Sequence, residues 1–312
     1  MLFEDHFLWL QKGGNEEQQY EDAFQRDPNR GLVAIADGAS EGYASGAWAS
    51  ILVHRFIEEP PDQLTAESFW PWVAKHRPEW LLGIDFASLG WNHQIKAEGG
   101  AFTTFLCAQF QLDRNQDRPD TLSLRVLAVG DCCLFHVRGQ ELVQWVPPIA
   151  PENFSTRTEL VASLAHRQDL NVRAETFELR VQPGDLLFLA SDALACWLLQ
   201  QTHAGDVDWN KYWMLDIADW RQEIVHLRDQ GSMTDDDVTL LVLRLMPIEL
   251  AEPMAGQDET HDETECPAEP AETGAEITLA EEPVGNPVAA EVSSREPQSD
   301  GAALLQVPDD AG

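Results

Sequence analysis

Basic residues are scarce in this 312-residue sequence: 20 Lys and Arg stand against 54 Asp and Glu, a formal net charge of −34. Nucleic-acid binding needs clustered cations to displace counterions, so this balance excludes a nucleic-acid partner and disfavours an anionic membrane surface equally. Long apolar runs are missing too, and none reaches the roughly 18 residues that a membrane-spanning helix requires. The first segment, MLFEDHFLWLQKGG, is acidic where a secretory leader is basic, and its apolar part is short. Cysteine is sparse at five residues, none in a CxxC pair. That speaks against thiolate metal sites and redox pairs. Cys107, Cys132, Cys133 and Cys196 lie in apolar runs, where cysteine acts as a small hydrophobe, so a reducing cytoplasmic setting is expected.

Core-forming residues are plentiful, with 11 Trp and 13 Phe. Residues 251–312 differ sharply, holding 16 Asp or Glu, one Arg, seven Pro and no aromatic residue. Such a stretch buries too little apolar surface to offset its ordering entropy. The expected organisation is therefore a folded domain over 1–248 and an acidic disordered tail over 249–312.

Within the first 248 residues, Phe7–Leu10 reads as an opening strand, and Glu21–Phe24 begins a second. The turn residues of RDPNRG then predict a hairpin into the apolar run 32–36. Trp48, Leu52 and Phe56 recur at helical spacing until Pro60-Pro61. Residues 62–98 show helical patterns broken by Pro71 and Pro78, with Trp70, Trp72, Trp80 and Trp91 read as core. After Gly99-Gly100, strands are predicted over 102–111, 122–129, 132–138 and 141–146, with DRNQDRPD as a turn between the first two. A short helix is expected over 158–166, strands over 176–181 and 186–190, helices over 192–201 and 208–229, and a last strand over 239–245. Hairpin-like connections among so many strands point to an α+β fold, with antiparallel sheets covered by helices.

Several apolar runs end in carboxylates. LVAIA stops at Asp37-Gly38, LRVLAVG at Asp131 and DLLFLAS at Asp192; the cluster Asp235–Asp237 precedes VTLLVLRL, and Glu21-Asp22 lies just before the first run. Hard divalent cations such as Mg²⁺ and Mn²⁺ take oxygen ligands of this kind. Two of them 3.5–4 Å apart (about the spacing of known two-metal sites) activate a hydroxide for attack on phosphorus. Strand-terminal Asp also caps helices and forms turns, and that reading stays open for each one singly.

In order and spacing, EDAF, AIADGAS, LAVGDCCLFHVRG, LFLASDALACWLL and DDDVTLLVLRL resemble the metal-dependent protein phosphatases of the 2C type, most closely a divergent bacterial branch. The resemblance spans residues 1 to about 246. It implies a sandwich of two antiparallel β-sheets flanked by helices, two Mg²⁺ or Mn²⁺ ions, and hydrolysis of phosphoserine and phosphothreonine in proteins. It further implies that Asp37 bridges the ions, that the Gly38 carbonyl is a ligand, and that Asp192 and Asp236 are direct ligands. Glu21 and Asp22 would bind metal-held water, and Asp131 a weaker third metal. Asp235 or Asp237 can replace Asp236, because the acidic run blurs the register. The implied partner is a phosphorylated protein, a Ser/Thr kinase or its targets.

The departures are specific. Ala39 stands where many members place a histidine acid, and no Arg precedes Glu21 as a phosphate clamp, leaving Lys12 as a point-charge substitute. Ala193 and Cys196 replace a usual Gly and an occasional Asp. An inactive phosphatase-like module that binds phosphoproteins is the alternative these departures favour. Among the histidines, only His136 near Asp131 is singled out; Ser40 and Ser191 are read as capping or turn residues.

Overall fold

The computed structural model describes residues 1–112, 122–154, 158–205 and 207–247. The expected turn at 113–120 and the tail at 249–312 lie outside the described residues. Strand β1 (Phe3–Leu10) is followed by β2 (Ala23–Asp27) and β3 (Leu32–Ala36). Three helices come next: α1 (Ser45–Glu58), α2 (Ala66–Leu82) and α3 (Trp91–Gly99). Then come β4 (Phe102–Thr103), β5 (Phe105–Leu112), β6 (Leu122–Val129), β7 (Cys133–Arg138), β8 (Glu141–Val146), β9 (Val161–Ala162), β10 (Glu175–Val181) and β11 (Leu186–Ala190). The chain closes with α4 (Asp192–Ala204), α5 (Trp209–Met214), α6 (Ile217–Asp229) and β12 (Val238–Leu245).

Two five-stranded sheets form, in the orders β1-β12-β11-β7-β8 and β10-β6-β5-β3-β2, with every described pairing antiparallel. Alternation along the strands builds four layers. On β12, Leu241, Leu243 and Leu245 pack with Val33, Ile35, Leu106 and Val126 of the other sheet, while Val238, Leu240 and Val242 face α4, α5 and α6. On the opposite side, α1 and α2 cover Leu32, Ala34 and Ala36 of β3 and Phe105 of β5. Strands buried on both faces read as unbroken apolar runs, as these do. One edge of the sandwich is closed by Arg26, whose guanidinium lies 5.4 Å from the Phe7 ring and 5.9 Å from Phe24, and pairs with Asp5 at 2.7 Å.

Three expectations give way, two to longer-range contacts and one to a local cap. Pro71 and Pro78 do not break α2, which runs continuously from Thr65, its N-cap. Each proline removes one helical hydrogen bond. Packing offsets the loss: the Phe69 and Trp72 rings lie 5.6 and 5.8 Å from Phe105, and Trp72 Nε1 donates to Glu59 O at 2.8 Å. Of the four tryptophans there, only Trp91 is solvent-exposed, at 73%. The helix expected at 158–166 is instead β9, paired to β4, followed by a 3₁₀ turn at Ala165–Arg167. Val161 O accepts from Trp48 Nε1 at 3.0 Å and Ser163 N donates to Ala101 O at 2.9 Å, so partners elsewhere in the fold win over local helix. The helix at 208–229 is two, because the Asp216 carboxylate caps Ala218 N and Asp219 N at 2.8 and 2.9 Å and starts α6.

Ala44, which precedes α1, sits at φ 52° and ψ 45°, a left-handed conformation that penalises a Cβ. Ala44→Gly is expected to stabilise the domain by about 0.5–1 kcal/mol, measured by urea unfolding at constant m-value. Unchanged or lowered stability would show that the loop carries no such strain.

Candidate metal centre

Register brings the carboxylates together. Ala36 of β3 pairs with Ala23 of β2, which places Asp37 and Asp22 at the same end of one sheet. Ala190 of β11 pairs with Cys133 of β7 and with Leu240 of β12, which places Asp192, Asp131 and the 235–237 run at one end of the other. The two ends meet: Thr239 Oγ1, on β12, donates to Asp22 Oδ2 at 2.6 Å, and Glu21 N donates to Asp237 Oδ2 at 2.6 Å.

Asp37 is held by its backbone. Its N–H donates to Thr104 Oγ1 at 3.0 Å, and its carbonyl accepts from Thr104 N at 2.9 Å and Thr103 Oγ1 at 2.7 Å. Both threonines are buried. Gly38 follows because nothing larger fits: a Cβ there would lie 2.7 Å from Glu21 O and 2.9 Å from Gly46 N. This close approach presses the Glu21-Asp22 segment against the Asp37 loop.

The environment is hostile to so many negative charges. Burial, then the charges of Asp22, Asp192, Asp131 and Asp236, push the Asp37 carboxyl well above the usual range. Burial and Asp237 raise Asp22 to about 8, against hydrogen bonds from Thr239 and Ser191. Burial, Asp131 and Asp236 raise Asp192 to about 7, and Asp192 lies within hydrogen-bond reach of Asp37. Asp131 is raised by burial, although Thr158 Oγ1 donates to its Oδ2 at 2.6 Å. Glu21 is raised by burial against a hydrogen bond with Ser40. Carboxyls crowded this way either keep protons or take up cations.

The acidic run separates by task. Asp237 accepts from Lys12 N at 2.7 Å and from Glu21 N, so both its oxygens tie backbone segments together. Asp235 Oδ1 accepts from Gly13 N at 2.8 Å and faces Arg228 Nε at 3.5 Å. Asp236 instead sends its charge toward Asp37, Asp192 and Glu21, with Lys12 Nζ at 3.6 Å. Asp236 Oδ1 also accepts from Asp237 N at 3.0 Å, and the charge of Asp237 bears on Asp22 and Glu21, so the run as a whole borders the cluster.

Other groups enter that single-sequence reading missed. Ser191 stands at the N-cap of α4 without capping it; its hydroxyl accepts from Thr239 N at 2.9 Å and bonds Asp22. Tyr20 hydrogen-bonds the Thr239 hydroxyl. Asp22 Oδ1 is buried with no partner. A guanidinium does reach the acidic run, from α6 rather than from a residue before Glu21: Arg228 spends its NH groups on the carbonyls of Gln11 and Asp236. His136 does not belong to the site. Its Nε2 bonds Asp185 Oδ2 at 2.7 Å, and Arg138 holds the same carboxylate through two donors at 2.8 Å. Burial works against ionisation of Asp185, but Arg138 and His136 bring it down to about 2. This is an ion-pair network that ties β7 to the turn before β11.

Among the described residues, no three His, Cys, Asp or Glu side chains are placed to hold one metal ion as they stand. The donor chemistry nevertheless fits hard cations: it is all oxygen, it converges from five segments, and one buried carboxyl oxygen, Asp22 Oδ1, lacks a partner. No helix among the described residues is long and apolar enough to cross a membrane.

No protein-family model and no curated protein matches the chain. Solved structures do. A bacterial serine phosphatase is 16% identical, over 80% of this chain and 100% of that one, with TM-score 0.50. The serine/threonine phosphatase Stp1 from Staphylococcus aureus is 16% identical, over 78% of this chain and 96% of that one, also with TM-score 0.50. The catalytic domain of the serine threonine protein phosphatase PstP, in complex with 2 manganese ions, is 20% identical over 78% of this chain and 99% of that one, at TM-score 0.47. The resemblance carried by the five motifs holds at the level of the fold.

Proposed function

We propose that this chain, whose fold is that of the 2C-type protein phosphatases, is a metal-dependent phosphatase of phosphoserine and phosphothreonine in proteins. The observation that carries the reading is the meeting of Asp37, Asp192, Asp236, Asp22 and Glu21 at one end of the sandwich, in a setting that raises the buried members. Asp37, the Gly38 carbonyl, Asp192 and Asp236 would hold two Mn²⁺ or Mg²⁺ ions, and Asp131 a third. When bound, such ions neutralise phosphate charge and activate water for attack on phosphorus.

The chain's own groups divide the remaining work. Asp22 Oδ2 is fixed by Thr239, and once bound cations displace the carboxyl proton, the unpartnered Oδ1 would order water. Glu21, steadied by Ser40, orders water beside it. Hydrolysis transfers the water oxygen to phosphorus and breaks the bond to the seryl or threonyl oxygen. With Ala39 offering no proton, that leaving oxygen takes one from solvent, and inorganic phosphate is released. The substrate is a phosphorylated protein, a Ser/Thr kinase or its targets. The unpaired thiols of Cys107, Cys132 and Cys133 suit a reducing cytoplasm. The unit we assign to this activity is residues 1–248, with 249–312 an acidic appendage.

Mn²⁺-dependent release of phosphate from a phosphothreonine peptide, lost in Asp37→Asn, is the test. A second reading, a binding module without turnover, draws on the absence of three carboxylates already disposed around one ion among the described residues. Phosphopeptide binding with no turnover at any Mn²⁺ concentration would establish it.

A further inference from the structure

A phosphate dianion entering this end of the sandwich meets a ring of carboxylates, so cations supplied by the chain matter for its capture. Three basic side chains of the described residues act on the cluster. Arg228 is half-buried, with its NH groups committed to the Gln11 and Asp236 carbonyls and Nε turned to Asp235. Lys12 sits by Asp236, its Nζ 3.6 Å from Oδ1, and its backbone N–H is fixed on Asp237. Lys96 approaches from the other side. It lies in the last turn of α3, is solvent-exposed, and donates from Nζ to Ser40 O at 2.8 Å. Ser40 belongs to the loop that continues from Asp37-Gly38 and also bonds Glu21, whose carboxyl feels the Lys96 charge.

A lysine ammonium has three donors, and one contact to Ser40 leaves two for a ligand. Of the three cations, Lys96 is the one that combines donors left over with no carboxylate within ion-pair distance among the described residues. We propose that Lys96 is the phosphate-binding cation of this site, brought in by α3 and aimed across the Asp37–Ser40 loop at the phosphoryl oxygens. The assignment rests on the phosphatase reading and deepens it: a helix remote from the five motifs supplies the charge that no Arg before Glu21 supplies here. A point charge of this kind attracts all phosphoryl oxygens without the geometry of a bidentate fork. It therefore acts on affinity more than on orientation.

The test uses the full chain with Mn²⁺ and two readouts, turnover of a phosphothreonine peptide and calorimetric binding of inorganic phosphate. Lys96→Ala is expected to weaken phosphate about tenfold and to raise KM by a similar factor, the scale of one charge-assisted contact. Lys96→Arg restores both to within about threefold, because it returns the charge. Lys75→Ala, at a surface lysine of α2 paired with Glu59, leaves both unchanged. Unaltered phosphate affinity in Lys96→Ala overturns the assignment, and so does wild-type protein that binds no phosphate. Failure of the phosphatase reading looks different: wild-type protein without turnover, whatever Lys96 does to phosphate binding.

Discussion

Asp37→Asn is expected to lower Mn²⁺-dependent hydrolysis by about three orders of magnitude or more, while making the metal-free protein more stable. Both effects have one cause. The Asp37 carboxyl is enclosed by the fold and repelled by Asp22, Asp192, Asp131 and Asp236. Without cations, an ionised group there is a net cost, and an amide of the same shape removes it. The gain is about 1–2 kcal/mol, typical of replacing a strained functional residue. The backbone clamp from Thr103 and Thr104 does not involve the side chain, so the loop itself survives the change. With Mn²⁺ the order reverses. Wild-type protein gains melting temperature as ions bind the folded state alone, and Asp37→Asn loses most of that gain. Steady-state kinetics and melting curves with and without Mn²⁺ decide it. A variant that keeps its turnover, or that melts lower than wild type without metal, would sink the idea that these carboxylates exist to hold cations.

Much of this site was legible in the sequence, for physical reasons that can be named. Asp37 and Asp192 each follow an apolar run that proves to be a strand buried on both faces, and Asp131 follows β6, buried from Val126 to Val129, so the ends of these runs had to emerge at the ends of the sheets. The hairpin into β3 was readable from RDPNRG because turn chemistry is local. What stayed hidden depends on partners distant in the chain. Nothing local distinguishes Asp235, Asp236 and Asp237; the backbone N–H groups that tie down the outer two come from Lys12, Gly13 and Glu21, more than 200 residues away. Lys96 carries no local signal either; its contact with the Ser40 carbonyl depends on where α3 ends. The same limit explains α2, where two prolines outweigh local pattern until Phe105 is packed beneath them.

Between about pH 4 and pH 8 the metal-free protein is expected to become less stable as the pH rises, each unit of upward shift being worth about 1.4 kcal/mol at most. In the unfolded chain an Asp carboxyl releases its proton near 3.8, whereas in the fold Asp192 keeps one to about 7 and Asp22 to about 8. Over that interval the native state therefore binds more protons than the unfolded state. Stability is fully present below the unfolded value and drains away as pH climbs through the folded ones. Asp185 has the opposite sign: lowered to about 2, it adds stability that is lost only in stronger acid. The metal-free melting temperature should thus peak near pH 4–5 and fall toward neutrality. Cations reverse the slope, because they take the place of the protons on the same carboxyl oxygens. Mn²⁺ binding should release protons, read by calorimetry in two buffers of different ionisation enthalpy, and its affinity should rise with pH. A metal-free stability that is flat or rising from pH 5 to pH 8, or Mn²⁺ binding without proton release, would mean that the cluster is already ionised and that its crowding is relieved by something other than metal. If the prediction holds, the property that weakens the empty fold near neutral pH is the one that makes it take up its ions there.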